Sequence, residues 1–349
     1  MKRHKLFKAA LFTLSVLAAT AGLVSCEDEV TGSGYAEWAG VRRSNYGEFG
    51  GDNPKSPKKM TEYVNKMSSF YNKNESEKST GALVWIVGEV SAAGYGETDK
   101  VNKPPKYRNR GANKIWEQMI ESNTVPDGKY CCRLNFPFPE NSDVPPGLTD
   151  DDEDFNESYL TAFDIAGFDV WLQVEAGYAD IVKVAKIVMT KYKNHKCVKG
   201  FGVDVEWYRN VEDGKPGQML TDEVAQNVDA AVKSVNPSYS VFVKHWETGY
   251  LPPSYRGVNN DMIFVTDSQD FGGNRSALTK HYRDWANYYE PNPVFFQIAY
   301  EDDEDIWNSF DNPLADYGEY ILTHIEDSSQ KRGIIWVDFT FNEAYSKSN

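Results

Sequence analysis

The segment at residues 200–208, GFGVDVEWY, contains two carboxylates that are two residues apart. Side chains of a β-strand alternate between its two faces, so Asp204 and Glu206 lie on the same face of a strand. Two neighbouring carboxylates disfavour double ionisation, which raises one pKa and keeps one acid protonated near neutral pH. The pair therefore predicts general acid chemistry, with Glu206 and Asp204 as candidate catalytic residues, if this strand ends in a cleft.

The chain around this pair alternates between short apolar segments and helix-like segments. The predicted strands are rich in Val, Ile, Phe and Trp and lie at 82–88, 129–135, 168–174, 199–206, 239–246, 261–267, 293–299 and 333–339. The predicted helices lie at 57–73, 112–121, 156–165, 178–194, 219–234, 275–289 and 313–327. This alternation predicts an α/β fold, a single (β/α)8 TIM barrel in which 199–206 is the fourth strand. A doubly wound sheet is the alternative, but Gly88-Glu89-Val90 is not a glycine-rich nucleotide loop.

Active sites of such barrels lie at the carboxyl ends of the strands. Besides the catalytic pair, these ends carry further carboxylates, amides and aromatic rings. The candidate substrate-binding residues are Gln173, Glu175, Trp207, Asp267, Gln297, Tyr300 and Trp336. Carboxylates supply acid chemistry, amides bind hydroxyl groups, and flat rings stack on the apolar face of a pyranose. The set predicts a carbohydrate as the substrate.

Residues 199–206, KGFGVDVE, resemble the fourth-strand signature D-G-x-D-x-D-x-E of glycoside hydrolase family 18, the chitinases and endo-β-N-acetylglucosaminidases. Gly200, Asp204 and Glu206 match the glycine, the last aspartate and the acid glutamate of that signature. The resemblance implies a substrate with N-acetylglucosamine and a substrate-assisted mechanism. Glu206 would protonate the glycosidic oxygen, and Asp204 would orient the 2-acetamido group, whose carbonyl attacks the anomeric carbon.

Two later segments are also similar to this family. Residues 333–336 (GIIW) resemble its G-x-x-x-W ending, offset by one residue, and residues 295–300 (FFQIAY) look like its late strands with Gln and Tyr. The resemblance implies that Trp336 forms the floor beneath the sugar at the cleavage site. The sequence departs from the signature at Lys199 and Gly202, where the family has aspartates.

Two alternatives to this mechanism follow from the same residues. The missing aspartate at Gly202 favours a non-catalytic glycan-binding protein on the same scaffold. A two-carboxylate retaining glycosidase would instead pair Glu206 with Glu301, a residue after the seventh predicted strand, at a separation of about 5 Å.

The first residues predict export and a lipid anchor. Residues 1–25 have a basic start and an apolar run that ends in LVSC, which resembles a bacterial lipobox with Cys26 as the lipidated residue. The acidic residues 27–29 look like the surface-export signal of Bacteroides-type lipoproteins. We therefore expect a signal peptide at 1–25, a tether and lead-in at 26–56, a barrel at 57–349, and a location on the bacterial outer membrane, exposed at the cell surface.

Charge and cysteine content exclude other classes of function. The net charge of −15 argues against nucleic acid as a partner, because phosphate binding needs a basic surface. The spacing of Cys131, Cys132 and Cys197 predicts neither a disulfide framework nor zinc ligands. One bridge from Cys131 or Cys132 to Cys197 and buried free thiols are both compatible with it. We expect no cofactor and no metal.

Overall fold

The computed structural model describes residues 30–50, 55–74, 77–90, 130–210 and 216–348. In this part of the chain one sheet contains ten strands. They are β1 (Trp38–Arg43), β2 (Thr80–Val90), β3 (Tyr130–Leu134), β4 (Gly147–Thr149), β5 (Asp169–Val174), β6 (Val198–Asp204), β7 (Ser240–Lys244), β8 (Ile263–Thr266), β9 (Val294–Ile298) and β10 (Arg332–Trp336).

Eight of these strands form a closed parallel barrel. Their order is β1-β2-β5-β6-β7-β8-β9-β10, and β1 closes the ring because it pairs in parallel with both β2 and β10. Val41, for example, lies between Leu83 on one side and Trp336 on the other. The predicted (β/α)8 barrel is confirmed.

The identity of two barrel strands differs from the prediction. The first strand, β1, lies inside the segment 26–56 that was expected to be a tether, so the barrel includes residues before 57. The predicted second strand, at 129–135, is β3, which pairs antiparallel with the end of β2 and lies outside the ring. These two differences cancel, and β6 remains the fourth strand of the barrel.

The sequence of β1, WAGVRR, explains why its pattern was missed. Arg42 and Arg43 indicate a solvated segment, yet both side chains are buried in this structure. Gly40 permits the close packing of the strand, since a Cβ there would lie 1.7 Å from the carbonyl oxygen of Ala82.

Eight α-helices in the described ranges pack around the barrel. They are α1 (Pro57–Phe70), α2 (Glu157–Ala166), α3 (Ile181–Tyr192), α4 (Asp222–Val235), α5 (Arg275–Tyr289), α6 (Glu304–Trp307), α7 (Pro313–Thr323) and α8 (Phe341–Lys347). Side chains of Ser56, Asp180, Thr221 and Asn274 accept hydrogen bonds from the first backbone N–H groups of their helices, which fixes where these helices begin. The helix predicted at 112–121 lies outside the described residues. No helix in the described ranges is long and apolar enough to cross a membrane.

Apolar side chains fill the interior of the barrel, and polar side chains lie above them at the carboxyl ends of the strands. Trp38, Trp171 and Phe295 meet edge to face inside the barrel, with ring centroids 5.0 to 5.6 Å apart. Six further residues complete this inner core: Ala82, Val84, Phe242, Ile263, Val265 and Ile335. The barrel is therefore packed below the site and is not an open channel.

Candidate functional site

A buried lysine lies at the centre of the polar cluster. Lys244 ends β7 and is 3 % exposed, and its Nζ lies 3.1 Å from Asp204 Oδ2 and 4.0 Å from Glu206 Oε2. It also forms a close ion pair with Asp267, which follows β8. Three neighbouring barrel strands thus bring three carboxylates to one ammonium group.

Asp204 is held on two sides at the end of β6. Gln173 Nε2, from β5, donates a hydrogen bond of 3.0 Å to Asp204 Oδ2, the oxygen that also faces Lys244. Burial raises the pKa of Asp204, while the positive charge of Lys244 opposes this rise. The carboxylate is fixed in position by an amide and a cation.

Glu206 is the member of this group that reaches solvent. The strand ends at Asp204, and Glu206 lies in the 3-10 turn Val205–Trp207 that follows it, with 19 % of its side chain exposed. Burial raises the pKa of Glu206 well above its ordinary value, and the negative charges of Asp204 and Asp267 add to this effect. The shift favours the protonated form of Glu206, and the side chain is at a position that a ligand can contact.

Glu175 forms a second buried acid next to the first group. It follows β5, and its Oε2 accepts a hydrogen bond of 3.2 Å from the N–H of Val90, while Tyr46 donates its hydroxyl proton to Oε1 at 2.5 Å. Burial, followed by the charges of Glu89 and Asp204, raises the pKa of Glu175 to about 8. Glu175 is thus a protonated carboxyl group at neutral pH.

The loop after β1 covers this part of the barrel mouth. Arg42 Nη2 donates a hydrogen bond of 2.5 Å to the Tyr46 hydroxyl, and Arg42 Nη1 lies 3.7 Å from Asp338. Asp338 in turn accepts a hydrogen bond of 2.8 Å from the N–H of Ser44. The sequence analysis does not place Arg42 or Tyr46 in the site, because a pair of arginines is typical of a solvated segment.

Two of the predicted residues, Gln297 and Tyr300, lie in and just after β9, the seventh strand of the barrel. Gln297 is fully buried in β9, and its Nε2 donates a hydrogen bond to the hydroxyl of Tyr300. Burial and the charge of Asp267 raise the pKa of Tyr300, so its hydroxyl stays protonated. Trp207, which is half-buried, lies next to Glu206 on the 3-10 turn. Of these residues, Tyr300 is the one on which the charges of Asp267 and Lys244 act.

Trp336 does not belong to the site, and its predicted role as the floor beneath a sugar is wrong. Its side chain is fully buried on the outer side of the barrel, where it packs edge to face against Trp307 at 5.9 Å and against Tyr317 at 6.1 Å. Its Nε1–H donates to Thr340. Ile335, the preceding residue, is the one that faces the barrel interior.

Glu301 is the residue that the retaining alternative pairs with Glu206. It is an exposed residue in the 3-10 turn Glu301–Asp303, whereas Glu206 is mostly buried against Lys244. The carboxylates whose charges act on Glu206 are those of Asp204, Asp267 and Glu175.

The structure gives a reason for the glycine at position 202. A Cβ at Gly202 would lie 2.0 Å from Cζ of Phe242, because the phenyl ring from β7 fills the space beside it. An aspartate at this position would clash with that ring. The neighbour of Asp204 is accordingly the ammonium group of Lys244 and not a second carboxylate on the same strand.

The fold and the site define a class of protein: a TIM barrel with a buried cluster of acids around one lysine at the carboxyl ends of its strands. Comparison with protein-family models and with curated protein sequences gives no match. One solved structure that is similar is described as "Crystal Structure Analysis of the HPPK-DHPS in complex with substrates". Its sequence identity is 11 % and its TM-score is 0.35, and the match covers 89 % of the present chain and 49 % of that chain. The chain therefore spans about half the length of that protein, and a likeness of this size carries no argument about what the present chain binds.

Proposed function

We propose that this protein is a glycoside hydrolase that acts on an N-acetylglucosamine-containing or related glycan. The observation that carries the proposal is Glu206, a partly exposed acid with a raised pKa that lies beside the fixed carboxylate Asp204. A general acid must hold its proton at the working pH and must be within reach of the substrate. Glu206 meets both requirements.

The proposed reaction is substrate-assisted. Glu206 protonates the glycosidic oxygen, while the carbonyl oxygen of the 2-acetamido group attacks the anomeric carbon and the bond to the leaving group breaks. Asp204 orients that acetamido group and stabilises its developing positive charge. Gln173 and Lys244 hold Asp204 in place, so the carboxylate does not need to reorganise during the reaction. Water then opens the cyclic intermediate, with the Glu206 carboxylate as the base.

The test compares two glutamine variants. Glu206→Gln keeps the size of the side chain but cannot donate a carboxylic proton, so it should lose hydrolysis of chromogenic N-acetylglucosamine oligomers by about 100-fold or more. Glu301→Gln changes an exposed carboxylate at the same rim and should retain full activity. Full activity in Glu206→Gln would reject the mechanism, and a matching loss in Glu301→Gln would favour the retaining pair of Glu206 and Glu301.

A second candidate function is a glycan-binding protein without catalysis. The observation in its favour is the pair of Phe242 and Lys244, which take the place of a second aspartate next to Asp204. On this hypothesis the protein binds oligosaccharides on a glycan array but releases no product, even after long incubation. The variant Glu206→Gln would then bind as well as the wild type.

We also propose that the protein is attached to the outer membrane by a lipid on Cys26 and faces the outside of the cell. The support is the sequence LVSC with the acidic residues after it. Cys26→Ser should abolish labelling by a radioactive fatty acid and release the protein from the membrane. Cleavage by a protease added to intact cells would test surface exposure. Persistence of the fatty-acid label in the variant would reject the anchor.

A further inference from the structure

A second cluster of reactive side chains lies at the opposite end of the barrel from Glu206. Asp164 is in the last turn of α2, and His195 and Cys197 lie between α3 and β6. One ligand atom from each of these residues lies within 4.8 Å of the others. Carboxylate oxygen, imidazole nitrogen and thiolate sulfur are the three kinds of atom that bind Zn²⁺ in proteins.

The two carboxylates around His195 are the reason to look for a cation. His195 Nδ1 lies 2.8 Å from Asp164 Oδ2, and His195 Nε2 lies 3.4 Å from Glu157 Oε2. A neutral imidazole has one N–H group, so it can donate to only one of two carboxylates. Without a metal, Nδ1–H can donate to Asp164; when Nε2–H donates to Glu157 instead, the lone pair of Nδ1 is free to bind a cation on the side of Asp164 Oδ2.

The surroundings of the cluster resemble the support that metal ligands need. A histidine that binds a metal usually donates its other N–H to a carboxylate, which fixes the tautomer and the direction of the ring. Glu157 is placed for this role. The backbone N–H of Cys197 donates a hydrogen bond of 2.7 Å to Asp164 Oδ1, which leaves Oδ2 on the side of His195.

The charge balance of the cluster favours the same assignment. Cys197 is 1 % exposed, and its thiol lies 3.5 Å from the carbonyl oxygen of Leu160. One thiolate and one carboxylate would balance the charge of a divalent cation, so the occupied cluster would be neutral in a buried place. Bonds of about 2.0 Å to nitrogen and oxygen place those two atoms about 3.3 Å apart in a tetrahedral site, so the present 2.8 Å would widen by about half an ångström.

We propose that Asp164, His195 and Cys197 bind one Zn²⁺ ion, with Glu157 as the hydrogen-bond acceptor behind His195. The ion would join the end of α2 to the segment that enters β6. Because this is the amino-terminal end of the barrel strands, the role of the ion is structural and not catalytic. The proposal does not depend on the function proposed for Glu206.

The test measures zinc in the purified protein after dialysis against Zn²⁺ and then against metal-free buffer. The wild type should retain about one zinc ion per chain and should have a higher melting temperature with zinc than with a chelator. His195→Gln and Cys197→Ser should lose the metal, and Glu157→Gln should bind it at least about 10-fold more weakly. Cys132→Ser removes another buried thiol and should behave like the wild type.

Two results would overturn the proposal. One is a wild-type protein that retains no zinc after dialysis. The other is equal zinc content in the wild type and in His195→Gln, which would place the metal elsewhere. His195 is at the edge of the cluster with 11 % of its side chain exposed, so this variant keeps the test valid even where Cys197→Ser fails to fold.

Discussion

Replacing Glu175 with glutamine should remove part of the dependence of stability on pH. The pKa of Glu175 rises from an ordinary value of 4.5 to about 8 in the folded protein, chiefly because the carboxyl group is buried. Between these two values the folded chain holds a proton that the unfolded chain has lost, so this group makes the wild type less stable as the pH rises. The loss is complete above pH 8, where the folded carboxyl group ionises as well.

The size of the effect follows from the same two values. Each pKa unit corresponds to about 1.4 kcal/mol, which gives a ceiling of about 5 kcal/mol for a pKa that rises from 4.5 to about 8. The charges of Glu89 and Asp204 act on Glu175, and the ionisation of these neighbours adjusts when Glu175 is replaced. We therefore expect Glu175→Gln to raise the free energy of unfolding by about 2 kcal/mol at pH 8.5. Glutamine keeps the hydrogen bond from the Val90 N–H through its oxygen, whereas its NH₂ group faces Tyr46, whose hydroxyl would have to accept where it now donates.

The assay is urea unfolding followed by circular dichroism at pH 5, 6.5 and 8.5. Glu175→Gln should match the wild type within about 1 kcal/mol at pH 5 and exceed it increasingly toward pH 8.5. Glu140→Gln, a change of an exposed carboxylate, is the control and should give no such trend. A constant difference between Glu175→Gln and the wild type at all three pH values would show that Glu175 is ionised in the folded protein, and the reasoning from burial would be refuted.

Three further changes test the packing around the site. Lys244→Met leaves buried carboxylates without their cation and should lower the free energy of unfolding by about 3–5 kcal/mol at pH 7 and by less at pH 5. The control Lys186→Met, on an exposed helix face, should lower it by less than about 0.5 kcal/mol. An equal loss for Lys244→Met at both pH values would contradict the ion-pair account. Gly202→Ala should destabilise the wild type by about 1–3 kcal/mol, and a Phe242→Ala background by less, because the added methyl group meets the Phe242 ring. Additive losses in a double-mutant cycle would show that the two side chains do not clash. Trp336→Phe should lower the melting temperature while glycan binding in titration calorimetry stays unchanged, and weaker binding by the folded variant would return this residue to the site.

The sequence predicted the barrel because its alternation of apolar strands and amphipathic helices is regular over most of the chain. It failed where burial depends on partners that lie far away in the sequence. Arg42 is an example, because it is buried only through Tyr46 and Asp338, and the latter comes from the other end of the chain. The cluster proposed to bind zinc is another, since Asp164 and His195 are separated by 31 residues.

Strand parity explains both the success at Asp204 and the failure at Trp336. Consecutive side chains on a strand point to opposite faces, so a shift of one residue moves a side chain from one face to the other. Gly200 and Asp204 match the family 18 signature in register, and Asp204 faces the lumen side of the barrel at Lys244. The G-x-x-x-W match was offset by one residue, and that offset places Trp336 among the helices and Ile335 in the lumen.

The charges around Lys244 determine which acid carries the proton. One ammonium group lies within 4.0 Å of three carboxyl groups, and ionising all three would leave two negative charges without a cation in a buried place. Asp204 and Asp267 contact the ammonium group more closely than Glu206 does, so its positive charge acts most strongly on these two aspartates. Glu206 lies farther from the ammonium group, its pKa is raised well above its ordinary value chiefly by burial, and its side chain is the most exposed of the three. On the proposed function, Lys244 takes the part of the second aspartate, because its charge orders the acids around it as a pair of aspartates would otherwise do.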